Sequence, residues 1–189
     1  MSMMKALLTA AALLAAPAAM AQDENGAGED AEGSQPAKAS CDGIEFRAFD
    51  FWIGRWTVAN NGEALPFAMN HIESVAEGCV IRETYTPMDG PMGVSMTTLE
   101  PDTGVWHQQW VGGVPGRVHF QGGPVGDLGD TMVLTGFWGT DNNGVPRLVR
   151  MTYTYREDGT VRQLGEASSD QGTSWQVSFD LIYTPYPPQ

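Results

Sequence analysis

The chain has 189 residues and a formal net charge of −13 at pH 7. Such an acidic surface repels phosphate backbones, so we expect neither nucleic acid nor an anionic membrane as a partner. The length predicts one folded domain around a single core.

The N-terminal residues have the three parts of an export signal. Lys5 supplies the positive start, residues 6–16 form an apolar run, and residues 19–21, Ala-Met-Ala, are a small-x-small cleavage site. The apolar run is too short to span a bilayer stably, which makes a retained anchor the lesser alternative. We predict a signal peptide over 1–21 that is cleaved after Ala21, no membrane span, and a mature protein that is periplasmic or secreted.

The next segment, 22–40, differs in composition from the rest. It contains five acidic side chains among Gly, Ala, Ser and Pro, and it has no aromatic or β-branched residue. Such a segment cannot bury enough apolar surface to offset the entropy of ordering. We predict a disordered acidic tether over 22–40 and a folded domain over 41–189.

Two cysteines, Cys41 and Cys79, fall within the predicted domain. Disulfides form in oxidising compartments outside the cytoplasm, and a bridge here would stabilise the fold by about 3 kcal/mol. Two unpaired thiols, with Cys79 buried as a small apolar side chain, are the alternative. We predict the disulfide.

Short runs of alternating apolar and polar residues recur along the domain, separated by turn sequences such as Asn61-Gly62 and Asp158-Gly159. These runs are typical of antiparallel strands joined by tight turns. The predicted strands span 55–60, 71–77, 79–87, 93–100, 105–111, 116–121, 131–139, 147–156, 160–168 and 175–184.

A sheet of this kind is stabilised most easily by closing on itself, because closure removes its two exposed edges. We therefore predict an all-β fold, an antiparallel up-and-down barrel of about 8–10 strands, with a two-sheet sandwich as the alternative. A barrel of about this size has room for one small ligand.

The alternation also predicts which side chains share a face. In 105–111, Trp106 and Trp110 oppose His107 and Gln109. The last strand carries a large apolar set on one predicted face, namely Trp175, Val177, Phe179, Leu181 and Tyr183. Periodicity alone does not say which face of a strand points into the barrel.

Several sequence blocks, taken together, resemble a family of exported bacterial proteins of unknown function with a lipocalin-like, calycin-type barrel. The blocks are Phe49-Asp50-Phe51-Trp52-Ile53-Gly54-Arg55-Trp56, Glu77-Gly78-Cys79-Val80-Ile81-Arg82-Glu83, Pro101-Asp102-Thr103-Gly104-Val105-Trp106-His107-Gln108-Gln109-Trp110-Val111, Val161-Arg162-Gln163 with Glu166-x-Ser168, and Asp170-x-Gly172-x-Ser174-Trp175 with Phe179-Asp180. The resemblance covers most of 41–185. It implies an architecture and assigns no chemistry.

The first of these blocks is expected to close one end of the barrel. Phe51, Trp52 and Trp56 supply large aromatic rings, and Gly54 would let the backbone turn sharply or approach a neighbour closely. The chain departs from true lipocalins in lacking their Thr-Asp-Tyr signature. No His follows His119, whereas haem-binding barrels of the nitrobindin type use a His in a late strand.

The candidate catalytic residues are Glu83, His107 and Glu166, because a carboxylate or an imidazole in an apolar barrel can act as a general acid or base. A cross-strand ion pair on the surface is the alternative for the two carboxylates. The chain has no His-x-His or Cys-x-x-Cys spacing, no Gly-x-Ser-x-Gly and no phosphate loop. We expect no metal and no cofactor.

The expected function is therefore binding of a small apolar or amphipathic molecule inside the barrel. An enzyme of the isomerase or cyclase type, acting on an apolar substrate, is the alternative, and the sequence identifies no protein partner. The predicted ligand-binding residues are His107, Gln109, Glu83, Tyr85, Arg150 and Trp110.

Overall fold

A computed structural model describes residues 40–186. The predicted signal peptide, residues 22–39 of the predicted tether and residues 187–189 lie outside this range. None of the helices between residues 40 and 186 is long and apolar enough to cross a membrane.

The described chain forms ten strands and three short 3-10 helices. The helices span Ile44–Arg47, Asp50–Trp52 and Ala76–Gly78. The strands are β1 (Gly54–Asn60), β2 (Ala68–Val75), β3 (Val80–Pro87), β4 (Gly93–Glu100), β5 (Val105–Val111), β6 (Val118–Pro124), β7 (Thr131–Thr140), β8 (Pro146–Tyr155), β9 (Val161–Ser168) and β10 (Gln176–Pro185). Each predicted strand corresponds to one of them, with ends that differ by a few residues.

The ten strands form one closed antiparallel barrel in which each strand pairs with its neighbours in sequence, and β1 pairs with β10 to close it. In the closing pair, Trp56 lies opposite Pro185 and Val58 lies opposite Tyr183. The predicted all-β up-and-down barrel is thus confirmed, and the sandwich is excluded. The architecture is consistent with a calycin-type fold.

Alternate residues of each strand point into the barrel. In β4, Ser95 and Thr97 are buried while Val94 and Met96 are exposed, so this strand turns its small polar side chains inward. Among the buried polar residues of the described chain, the only one with an ionisable acidic or basic side chain is Glu83.

The predicted face of the last strand is wrong at its beginning. The register between β9 and β10 shifts between Val177 and Phe179, which places one extra residue in β10. Such a bulge reverses the alternation. Val177 is consequently 66% exposed. Trp175 precedes the strand and packs against Arg150, whose guanidinium carbon lies 4.3 Å from the centroid of the Trp175 ring.

Aromatic side chains from the residues before β1 and from β1 itself fill one end of the barrel, and we call this cluster of Phe49, Trp52 and Trp56 the aromatic plug. Phe49 and Trp52 are fully buried and stack with ring centroids 4.9 Å apart. The Trp56 indole donates a hydrogen bond to the carbonyl oxygen of Trp52 at 3.0 Å. Gly54 has a φ of +157°, and a Cβ there would lie 3.1 Å from the Trp56 ring, so this turn requires glycine.

A disulfide between Cys41 and Cys79 ties the residues before the plug to the connection between β2 and β3. Arg47 adds a second link at this end, because its guanidinium donates hydrogen bonds to the carbonyl oxygens of Cys41 at 3.0 Å and Gly78 at 2.8 Å. The plugged end is thus held by covalent, polar and apolar contacts together.

Candidate ligand-binding site

A cavity of about 190 Å3 lies inside the barrel, beyond the aromatic plug. Seven of its lining side chains are aromatic, namely Tyr85, Trp110, Phe120, Trp138, Tyr153, Phe179 and Tyr183. The others are Glu83, Gln108, Met151, Gln163 and Leu181. Ligand cavities commonly have such a composition, mostly apolar walls with a few polar groups.

The plug packs beneath this cavity, against Tyr153, which lines it. The Tyr153 ring lies 5.1 Å from the Phe49 ring and 4.9 Å from the Trp52 ring, measured between centroids. At the other end, Trp110 lies next to the last residue of β5, and Trp138 is 39% exposed. The cavity therefore extends from the plug toward the opposite end of the barrel, which we call the mouth.

The aromatic rings near the mouth are arranged in pairs. Tyr85 and Trp110 meet edge to face with centroids 6.0 Å apart, and Phe120 and Trp138 do so at 6.2 Å. Gly93 makes room for the first pair, because a Cβ at this position would lie 2.3 Å from the Trp110 ring. A side chain at position 93 would therefore displace Trp110.

Glu83 is the acidic group of the cavity. Its Oε1 accepts a hydrogen bond from the Asn70 amide at 2.7 Å, and its Oε2 accepts one from the Ser95 hydroxyl at 2.6 Å. The Gln108 amide lies 3.5 Å from the Ser95 hydroxyl oxygen. Strands β2, β3, β4 and β5 thus each contribute one residue to a polar cluster on one wall.

Burial raises the pKa of the Glu83 carboxyl, and the hydrogen bonds from Ser95 and Asn70 oppose that rise without cancelling it. The pKa values of Tyr153 and Tyr183 lie well above the usual range, first because both hydroxyls are buried and then because Glu83 is near. These tyrosines are consequently neutral hydrogen-bonding groups at physiological pH.

A second polar cluster lies on the opposite wall, on β8, β9 and β10. The Tyr183 hydroxyl donates to the Gln163 side-chain oxygen at 2.6 Å, and the Gln163 amide donates to the Tyr153 hydroxyl at 3.0 Å. The same amide lies 3.2 Å from the Met151 sulfur. This cluster fixes the orientation of two tyrosines that line the cavity.

Three of the predicted ligand-binding residues, Glu83, Tyr85 and Trp110, line the cavity. The other three, His107, Gln109 and Arg150, lie on the outer face of the barrel and do not reach it. The physical reason is strand alternation: His107 and Gln109 flank the inward-pointing Gln108, so they point outward.

Two of the predicted catalytic candidates also lie outside the barrel. Glu166 accepts hydrogen bonds from Arg150 at 2.8 and 3.1 Å across β8 and β9, which is the surface ion pair that the sequence left as an alternative. His107 lies beside His119, with 3.2 Å between a nitrogen of each ring. Within residues 40–186, no group of three His, Cys, Asp or Glu side chains could hold a metal ion.

Four polar residues around the cavity were missed at the sequence level: Asn70, Ser95, Gln108 and Gln163. Each is buried and each alternates with outward residues on its strand. In sequence, each of them is a polar side chain that shares a strand face with apolar side chains. This pattern identifies a cavity residue only when it is known which strand face points into the barrel.

The fold and the cavity together define a class, a closed ten-stranded antiparallel barrel with an internal cavity. No protein-family model matches this chain, and no curated protein matches it in sequence. The resemblance to exported barrel proteins therefore depends on the sequence blocks themselves.

Proposed function

We propose that this protein is an exported barrel that binds one small, partly apolar molecule between the aromatic plug and the mouth. The observation that carries the proposal is the cavity, where seven aromatic side chains and two fixed polar clusters converge. An apolar cavity of about 150 Å3 is known to accommodate a single benzene ring. A cavity of about 190 Å3 therefore suits a single-ring or short-chain ligand better than a long fatty acid.

The export part of the proposal is supported by residues 1–21 and by the family resemblance of 41–185. Cleavage after Ala21 is expected when the full chain is produced in a bacterium with its own signal. The intact mass of the protein recovered from the periplasm or the medium measures this directly. An uncleaved product retained in the cytoplasm would contradict export.

The binding part is tested by native mass spectrometry of freshly purified protein, followed by fluorescence titration with single-ring and short-chain ligands. Ligand in the cavity is expected to change the tryptophan emission, because Trp110 and Trp138 line it. Trp110→Ala should weaken binding at least tenfold. Trp175→Ala is the matched control, since Trp175 packs against Arg150 outside the barrel.

Retained affinity in Trp110→Ala would contradict the proposed location. The absence of any copurified molecule, together with no binding across the panel, would contradict the function itself.

The second candidate function is catalysis of an isomerase or cyclase type, and Glu83 is the observation that favours it. Glu83 is the one catalytic candidate that lines the cavity, and burial raises its pKa toward the range useful for proton transfer. A bound molecule that leaves the protein chemically changed, with the change lost in Glu83→Gln, would establish an enzyme. Recovery of the molecule without chemical change would contradict catalysis and support binding as the function.

A further inference from the structure

We infer that the ligand is a cation, specifically a protonated amine attached to a single aromatic ring, and that the Glu83 carboxylate is its counter-charge. This inference rests on the proposed function and adds to it the charge of the ligand and the residue that recognises that charge. It follows from the position of Glu83, the groups around it and the walls of the cavity.

Glu83 is held in place as an acceptor. It is 5% exposed, it lines the cavity, and each of its oxygens accepts one short hydrogen bond from a neighbouring strand. An ionised carboxylate has about four lone-pair sites, so two donors leave acceptor capacity unused. The carboxylate is thus oriented before a ligand arrives.

Within residues 40–186, the hydrogen-bond donors to this carboxylate are neutral and no cationic side chain pairs with it. The other titratable residues that line the cavity are Tyr85, on the same strand as Glu83, and Tyr153 and Tyr183 on other strands. The pKa of each is raised, so all three stay neutral. The groups bonded to it, from Asn70 and Ser95, are neutral as well.

The arginines near these strands form ion pairs outside the barrel. Arg150 pairs with Glu166, Arg162 with Asp180 and Arg82 with Glu73. A buried carboxylate that no cation balances is costly even when it is hydrogen-bonded, and a ligand cation would offset part of that cost.

The walls of the cavity also favour a positively charged ligand. The rings of Tyr85, Trp110 and Trp138 line it, and the faces of such rings attract ammonium groups. An anionic ligand would meet Glu83 as a like charge, and it would also approach a protein of net charge −13. The aromatic walls provide the contact area for the ring, and Glu83 provides the contact for the amine.

The test compares three probes of nearly equal size by calorimetry at pH 8: phenethylamine, 2-phenylethanol and phenylacetate. The amine is expected to bind at least tenfold more tightly than the alcohol, and phenylacetate more weakly than both. Glu83→Gln should reduce the preference for the amine over the alcohol to twofold or less. Glu166→Gln, which removes a carboxylate on the outer face, should leave the preference unchanged.

The pH dependence of the wild-type protein tests the same inference without any variant. Burial raises the pKa of Glu83, so affinity for the amine should rise as the pH increases through that raised value, while affinity for the alcohol should not follow it. The tyrosines that line the cavity stay neutral over this range and add no competing titration.

Equal binding of the amine and the alcohol by the wild-type protein would overturn the inference and leave the proposed function standing. Binding of none of the three probes would also overturn it. In that case the ligand panel and native mass spectrometry decide the proposed function separately.

Discussion

The two ends of the barrel interior use the same kinds of side chain for different purposes. At the plugged end, Phe49 and Trp52 are completely buried and make contacts with one another and with Tyr153. Toward the mouth, Tyr85 and Trp110 are only partly buried and line the cavity. Aromatic packing therefore contributes to folding at one end and remains available to a ligand at the other.

Tyr153 marks the boundary between the two ends. One side of its ring contacts the plug, and its hydroxyl is held by Gln163 on the cavity wall. A change at the plug is expected to reduce stability first, and a change at the mouth is expected to reduce binding first.

Trp52→Ala should give the largest loss of stability, about 4 kcal/mol, because it leaves a large void in a fully packed region. Trp138→Ala is the matched control at the mouth, where the side chain is 39% exposed, and it should cost less than about 1 kcal/mol. Denaturant unfolding followed by circular dichroism measures both. Equal losses in the two variants would break the comparison between the ends.

Removal of the disulfide by Cys41→Ser together with Cys79→Ser should reduce the free energy of unfolding by about 3 kcal/mol, since the bridge closes a long loop in the unfolded chain. The two cysteines are 38 residues apart in sequence. The unfolding midpoint of the double variant is the measurement, and reduced wild-type protein is the control. A midpoint equal to that of the oxidised wild-type protein would show that the link contributes nothing at the plugged end.

Glu83→Gln should stabilise the ligand-free protein increasingly as the pH rises. Because the pKa of Glu83 is raised, the folded protein keeps this proton over a pH range in which the unfolded chain has lost it, and wild-type stability falls across that range. The difference between variant and wild type should grow by at most about 1.4 kcal/mol per pH unit. A difference in the free energy of unfolding between Glu83→Gln and wild type that stays constant from pH 4 to pH 9 would contradict the raised pKa of Glu83.

The substitution Asp170→Asn, on the outer surface, is expected to change the free energy of unfolding in the opposite direction. Hydrogen bonds from Ser168 and Ser174 lower the pKa of Asp170 to about 2. Its contribution to stability is present above the ordinary carboxyl pKa and is lost as the pH falls toward 2. Both this effect and that of Glu83→Gln should disappear in acid, but above the ordinary carboxyl pKa they have opposite signs: Asp170→Asn lowers the free energy of unfolding and Glu83→Gln raises it.

The smallest effect is expected for the ion pair between Arg162 and Asp180, although two hydrogen bonds of 2.8 and 2.7 Å join them. The Arg162 side chain is 41% exposed, and exposed pairs contribute below about 1 kcal/mol. A double-mutant cycle with Arg162→Ala and Asp180→Ala measures the coupling. A coupling above about 2 kcal/mol would show that the outer face contributes as much as the interior.

The strand pattern was sufficient to predict the barrel, because alternation and turn sequences act over a few residues. The inner face was harder to predict. Glu83 and Gln109 look alike in sequence, each a polar residue near aromatic ones, yet Glu83 is buried and Gln109 is exposed. Which face points inward depends on register around the whole barrel, and in β10 a single bulge reversed it. The sequence of a single strand does not reveal such a long-range constraint.

The closing pair of strands has a practical consequence. The backbone amide of Tyr186 donates a hydrogen bond to the Arg55 carbonyl oxygen at 2.7 Å, and Cys41 is bridged to the connection beside β2 and β3. The described chain therefore enters and leaves at the plugged end. A surface-coupling tag attached at residue 40 or 186, the two ends of the described chain, should hold the barrel on a sensor with its mouth facing the solution, so the probes can be titrated onto immobilised protein.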